Sequence, residues 1–322
     1  MPPAQSALPG DARFPRMSFR LPRYDAGFWR AFARWGATRM PRWFLRGTPG
    51  PIGVGIGLSQ PSIRAQIIDN LRLMHGERSP LEEGFDVAAT LSNFGHCLAE
   101  GLAAAGDGPP DFRYTVESRE HLVRARDEKK GAVLVTAHVG SWDVAGSVMN
   151  LRGFDLAIAM APERDPAARA ISDEARARTG VKVIHVGDDP LAALPLVRHV
   201  RSGGAVALQI DRVPPGMRAY PARLFGRPWT VPFGPFQLAQ VTGAPIIPVF
   251  TARLGFVHHL VHADPPIHVP KRASPLEMQN AIAATTSAVE TFIRRFPTQW
   301  FHFAPHPEVA AIEAEDSERQ AS

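Results

Sequence analysis

The chain has 322 residues, 45% of them hydrophobic and 21% charged, which is enough to bury a sizeable core and excludes wholesale disorder. The formal charge of +5 rests almost entirely on arginine and admits anionic partners: phosphorylated cofactors, anionic lipid or nucleic acid. A single cysteine, Cys97, excludes a disulfide framework within the chain and suits a reducing compartment; with neither CxxC nor HExxH, the sequence offers no zinc site.

The N-terminus lacks the charged-then-apolar pattern of a secretory signal, and no run of about 18 apolar residues predicts a transmembrane helix. Any membrane attachment is therefore expected to be peripheral. Residues 1–24, rich in Pro, Arg and small residues, read as a disordered tail. Residues 25–58 form a basic, aromatic segment and a loop. Phe28, Phe32 and Trp35 fall at i, i+4 and i+7 on one helical face, Trp43 and Phe44 follow, and Arg30, Arg34, Arg39, Arg42 and Arg46 are interleaved. Pro41 is expected to end or kink that helix. Such a segment either lies in an anionic bilayer interface or packs on the protein's own core.

The run 49–57 (PGPIGVGIG) is predicted to be a flexible loop, since its G-x-G-x-G spacing with no preceding strand departs from a dinucleotide-binding turn. Helical patterns follow at 61–75 and 80–104. The second is started by Ser79 and Pro80 with Glu82 and Glu83 in its first turn, and carries Cys97 as a small core residue.

From about residue 111, short apolar strands alternate with helices. Strands are predicted at 114–116, 132–137, 156–160, 181–185, 205–210, 246–251 and 257–261. Helices are predicted at 118–128, 142–150, 166–179, 190–201, 232–242 and 275–295. This alternation predicts an α/β fold, a largely parallel central sheet flanked by helices, behind an N-terminal helical region. Residues 59–307 are read as one domain, and 308–322 as a disordered acidic tail. His258, His259, His262 and His268 fit an exposed strand and loop better than a metal site. Arg176 and Arg178, just before Gly180, are expected to complement a helix C-terminus rather than reach a phosphate.

Two constellations carry chemistry. In the first, His138 follows the apolar run 133–137, Gly140 allows a tight turn, Ser141 is placed to cap the next helix, and Asp143 lies in that helix's first turn. Open α/β sheets bind ligands at the carboxyl ends of strands, where His138 falls. A histidine titrates near neutrality and can take a proton from an attacking hydroxyl or amine; a carboxylate on its other ring nitrogen fixes the tautomer. The His-x4-Asp spacing alone describes a strand-end histidine and a helix-start acid equally well; the strand-to-helix placement favours the catalytic reading. No G-x-S-x-G elbow is present, which favours direct attack by the acceptor over an acyl-enzyme. In the second constellation, Asp211 and Arg212 end the run 208–210. A long arginine-bearing loop is expected to follow as a substrate lip, with Gly234 offering backbone N–H groups at a helix start. Composition alone equally allows a surface loop with solvated arginines.

Taken together, "VLVTAHVGSWDVAG", "LQIDR" with "LFGRPWTVPFGPFQLAQVTGAPIIPVF", and the C-terminal "IRRFPTQWFHF" resemble the lysophospholipid acyltransferase superfamily. The nearest similarity is to the bacterial lipid A biosynthesis (lauroyl/myristoyl) acyltransferases and the mycobacterial phosphatidylinositol mannoside acyltransferases. The resemblance covers roughly residues 60–305, and the helical "IRAQIIDNLRLMHG" also fits it. It implies an acyltransferase of the His-x4-Asp type, with His138 as base, Asp143 as its partner, and Asp211, Arg212, Phe225, Gly226 and Arg227 shaping the acceptor and acyl pockets. The implied co-substrate is an acyl carrier protein or coenzyme A thioester, with no bound cofactor and no metal. The implied acceptor is a membrane lipid or glycolipid at the cytoplasmic face of the inner membrane, a lipid A precursor first, with an ornithine lipid, an aryl polyene lipid or a phosphatidylinositol mannoside as alternatives. Asp143 stands where the nearest families usually carry Glu, and Phe301-His302-Phe303-Ala304-Pro305 replaces their basic, aromatic run. The rival class, a non-enzymatic basic anion-binding protein, finds no base-stacking or helix-turn-helix signature to make nucleic acid a partner.

Overall fold

Short runs of Val, Leu, Ile and Ala, apolar on both sides, build the centre of the molecule. The computed structural model describes residues 27–306 except 107–110, 152, 162–165, 188–189 and 215. The tails expected at 1–24 and 308–322 lie outside the described residues. The strands are β1 (Arg113–Glu117), β2 (Ala132–Thr136), β3 (Leu156–Met160), β4 (Lys182–His185), β5 (Ala205–Gln209), β6 (Ala219–Leu224), β7 (Arg227–Pro232), β8 (Ile246–Gly255) and β9 (His258–Ala263). Seven of them form a sheet in the order β1-β9-β8-β2-β5-β3-β4. The β8–β9 pair is antiparallel and every other neighbour in that sheet is parallel. The predicted α/β class with a largely parallel sheet is therefore the observed one.

The helices are α1 (Gly27–Arg39), α2 (Arg42–Gly47), α3 (Pro49–Leu58), α4 (Pro61–His75), α5 (Pro80–Ala104), α6 (Arg119–Glu128), α7 (Trp142–Leu151), α8 (Pro166–Arg178), α9 (Leu194–Arg201), α10 (Phe233–Thr242) and α11 (Pro275–Arg295). Side chains alternate along β2. Val133 and Val135 face the core shared with α9, α10 and α11, while Ala132 and Leu134 face the core shared with α6 and α7. Both sheet faces are thus covered, as a parallel sheet requires. Two long helices begin on capping boxes, Ser79 with Glu82 on α5 and Ser274 with Glu277 on α11, each with Pro at the first helical position.

Three expectations fail for physical reasons. The run at 49–57 is helix α3, not a loop. Glycine is a poor helix former, but here Gly50, Gly53 and Gly57 give α3 a face without side chains that lies directly on α5, against Ser92, the Leu91 carbonyl and Gly95. The long loop expected after Arg212 is largely a β-hairpin, β6 paired antiparallel with β7. Its turn residues, Phe225 and Gly226, both have positive φ (50° and 74°), the geometry that matches the twist of a two-residue hairpin. Pro221 and Pro228 disguise these strands in the sequence, yet a two-stranded ribbon has only edges and tolerates them. Finally, His259 is not exposed: β9 is flanked by β1 and β8, and His259 is buried with Nε2 3.1 Å from Glu100 Oε2.

The basic, aromatic segment packs partly on the domain. Ala37 of α1 and Leu45 of α2 join Leu102 and Ala103 of α5 in a small core, and Arg34 grips Glu174 of α8 through two bonds of 2.7 and 2.8 Å. Trp35 and Trp43 remain exposed. No helix among the described residues is long and apolar enough to cross a membrane.

Candidate active site

Strand register brings the central residues together. β2 and β5 are parallel neighbours with Thr136 opposite Gln209. Two residues beyond each strand end stand His138 and Asp211, so they arrive at the same level, side by side. His138 Nδ1 lies 2.8 Å from Asp211 Oδ1, and the His138 backbone N–H donates to Asp211 Oδ2 at 3.1 Å. The Trp300 indole N–H donates to the same Oδ2 at 2.9 Å, and the Trp229 indole N–H to the Asp211 carbonyl at 3.1 Å.

The turn that carries His138 is held from the C-terminal side. Phe301 N–H donates to the His138 carbonyl (2.7 Å), Gly140 N–H donates to the Gln299 carbonyl (3.0 Å), and Val139 bridges Trp300. Gly140 has φ +59°, and a Cβ there would run into the backbone of Thr251 and Ala252, so only glycine fits. Ser141 does not cap α7 with its side chain: its Oγ is buried without a hydrogen-bond partner.

Electrostatics follow from burial and pairing. Burial alone would raise the Asp211 carboxyl. The attraction and hydrogen bond of His138, the nearby His302 and the Trp300 N–H outweigh it and hold the group well below the usual carboxylate range. An ionised Asp211 accepts, so His138 Nδ1 carries the proton and Nε2 presents its lone pair outward. Arg212 places a guanidinium nitrogen 3.3 Å from that Nε2. Burial pushes His302 down to about 4, against the opposing pull of Asp211, so this neighbour is neutral at physiological pH.

Asp143 occupies a different place from the one its spacing predicts. Both imidazole nitrogens of His138 have partners, and neither is Asp143. Its Oδ1 instead accepts from Arg176 Nε at 2.9 Å, across from α8. The physical reason is geometric: β5 delivers Asp211 directly beside His138, while the first turn of α7 points Asp143 at α8. Arg176, expected to serve its own helix end, spends its guanidinium on Asp143 and on Met160 Sδ (3.4 Å).

Asp143 and Arg176 form part of the wall of a cleft between the sheet and α7. Its remaining lining is largely apolar and includes Leu134, Ala145, Met149, Leu156, Ile158 and Met160. Trp142 lines the cleft and also meets the His138 ring edge-on at 5.8 Å, which sets the cleft beside His138. The other predicted pocket residues lie elsewhere. Phe225 is buried in the hairpin turn against Trp300 (5.6 Å), with its backbone N–H on Glu290 at 2.6 Å. The Gly226 carbonyl accepts from Arg223, and Arg227 is exposed on β7. None of these three lines the cleft. Local sequence reasoning missed the contacts of Trp229 and Trp300; the only signal for Trp300 was its place in the C-terminal motif. Among the described residues, no group of His, Cys, Asp and Glu could hold a metal ion.

The profile of a family described as bacterial lipid A biosynthesis acyltransferase matches residues 15–306. No curated protein matches the chain. Among solved structures, the chain is similar to the crystal structure of the 1-acyl-sn-glycerophosphate (LPA) acyltransferase PlsC from Thermotoga maritima, at 12% identity and a TM-score of 0.36, over 74% of this chain and 95% of that one.

Proposed function

The chain belongs to the bacterial lipid A biosynthesis acyltransferase family, and from that premise we propose how it performs lipid acyl transfer. The donor is an acyl thioester of acyl carrier protein or coenzyme A. The acceptor is a hydroxyl or amine of a membrane lipid or glycolipid at the inner face of the inner membrane, a lipid A precursor first. The observation that carries this reading is a histidine with its Nδ1 on a buried carboxylate at 2.8 Å, set beside an apolar cleft.

In the proposed reaction, His138 Nε2 takes the proton from the acceptor O–H or N–H as the oxygen or nitrogen attacks the thioester carbonyl. Asp211 holds the reactive tautomer and stabilises the imidazolium that forms. The tetrahedral intermediate collapses, the C–S bond breaks, and the leaving thiolate recovers the proton from Nε2. The products are an ester or amide and a free thiol. The apolar lining of the cleft suits the acyl chain. Arg212, beside Nε2, suits an acceptor phosphate. Asp143 is assigned to the cleft wall, where it fixes Arg176.

Charge and exposure support docking on an anionic bilayer. Between Asp25 and Asp69 the sequence contains no acidic residue. Arg39, Arg42 and Arg46 are exposed there, with Trp43, Ile52 and Ile56 exposed nearby in sequence. Interfacial tryptophan with arginine is a combination that favours a headgroup layer.

One assay tests both parts. Anionic vesicles carrying extracted acceptor lipid are sedimented with the protein, then supplied with acyl thioester. The parent protein should pellet with the vesicles and transfer acyl chains; His138→Ala should pellet equally and lose at least about 100-fold in rate. A folded His138→Ala variant that transfers at the parental rate would refute the catalytic reading. A parent protein left in the supernatant would refute the membrane reading.

A further inference from the structure

We propose that Trp300 is a positioning residue for acyl transfer, acting through Asp211 to fix the orientation of His138. This rests on the acyl-transfer reading above and adds a third member to the pair.

Asp211 is buried, and its two carboxylate oxygens are occupied by three donors: His138 Nδ1 on Oδ1, and His138 N and Trp300 Nε1 on Oδ2. Two of these donors belong to the residue being oriented. Trp300 supplies the remaining one, and so, among the described residues, the only side-chain hydrogen bond from outside the pair that fixes the plane of the carboxylate. The indole is itself immobile. It is 1% exposed, packed against Phe225, Trp229 and His302, and its backbone bridges Val139 next to the base. Chain turn and carboxylate are therefore registered to each other by one residue. With so little exposure, Trp300 has no route to touch substrate.

The other ionisable groups facing the pair are Arg212 at Nε2 and the buried His302, with His306 next to His302. Removing the N–H while keeping the ring takes away one of the two donors that meet Oδ2 and loosens the alignment of the His138 ring.

The test is Trp300→Phe, alone and combined with Asp211→Asn. The single variant should lose roughly 10- to 100-fold in kcat, in line with one lost hydrogen bond to a buried charge, with KM within about twofold. The His138 imidazole resonances, followed by NMR, should move, because the carboxylate they face has lost a donor. In the Asp211→Asn background the same change should cost almost nothing more, because the path through Asp211 is already cut. A folded Trp300→Phe protein with parental kcat, unmoved His138 imidazole resonances, or an equal further loss in the Asp211→Asn background would each overturn the proposal. If Trp300→Phe does not fold, the Trp300 indole proton of the otherwise native chain decides: its resonance should shift on Asp211→Asn, and an unmoved resonance overturns the assignment. The NMR readouts need no substrate, so a parent protein that transfers no acyl chain would sink the acyl-transfer reading while leaving the role of Trp300 to be judged.

Discussion

His302 is buried between the rings of Trp229 and Trp300, and its Nδ1 has no hydrogen-bond partner among the described residues. Its folded-state value of about 4 lies below the unfolded histidine value of about 6.5. The sign follows directly. Between these values the unfolded chain takes up a proton that the folded chain refuses, so the full contribution is present above about pH 6.5 and is lost as the pH falls towards 4. The loss should reach about 2–3 kcal/mol, read as a falling urea midpoint between pH 7 and 4. His302→Phe should flatten that part of the curve; a variant curve parallel to the parent's would contradict the assignment. At this scale the sequence pointed to the residues more readily than to their contacts. His138 and Asp211 both stand out because each follows an apolar strand. Their pairing depends on the β2–β5 register across more than seventy residues, and local reasoning instead favours the carboxylate five positions away, Asp143. The indole of Trp300 was hidden for the same reason: nothing near it in the chain says that its N–H meets a carboxylate.

At the scale of elements, the contact between α3 and α5 is the most exacting. A Cβ on Gly53 would lie 2.5 Å from the Leu91 carbonyl oxygen, and one on Gly95 would collide with the Pro49 carbonyl. At Gly55 a Cβ would meet open space. Alanine is favoured over glycine within a helix by about 1 kcal/mol. Gly55→Ala should therefore stabilise by up to that amount, while Gly53→Ala should destabilise by about 1–3 kcal/mol because overpacking outweighs propensity. Chemical denaturation of the two variants checks the opposite signs; destabilisation of both by the same amount would show that the glycines do not act through packing. This contact also explains why α3 was read as a loop. Its propensity is genuinely poor, and only the α5 surface makes it a helix. The β6–β7 hairpin was concealed similarly, by prolines that a central strand would reject. Elements with strong caps and regular periodicity, such as α5 and α11, were legible almost to the residue.

At the scale of the whole molecule, parallel strands deliver His138, Asp211 and Arg212 to one end of the sheet, where loops are free to vary without disturbing the core. α7 roofs an apolar cleft beside them, and the C-terminal segment 299–301 is hydrogen-bonded to the turn that carries His138. The fold class was readable from alternating elements; the different placement of the two aspartates, and so their proposed division of labour, was not, since it is a property of the assembled sheet. That division is the centre of the account, and it is tested by kcat for acyl transfer in Asp211→Asn and Asp143→Asn, both shown to be folded. Asp211→Asn should fall by at least about 100-fold, as loss of a tautomer-fixing carboxylate does elsewhere, and Asp143→Asn should fall less, with its effect expressed in handling of the acyl chain. Parental turnover by Asp211→Asn, or a larger loss in Asp143→Asn, would contradict it.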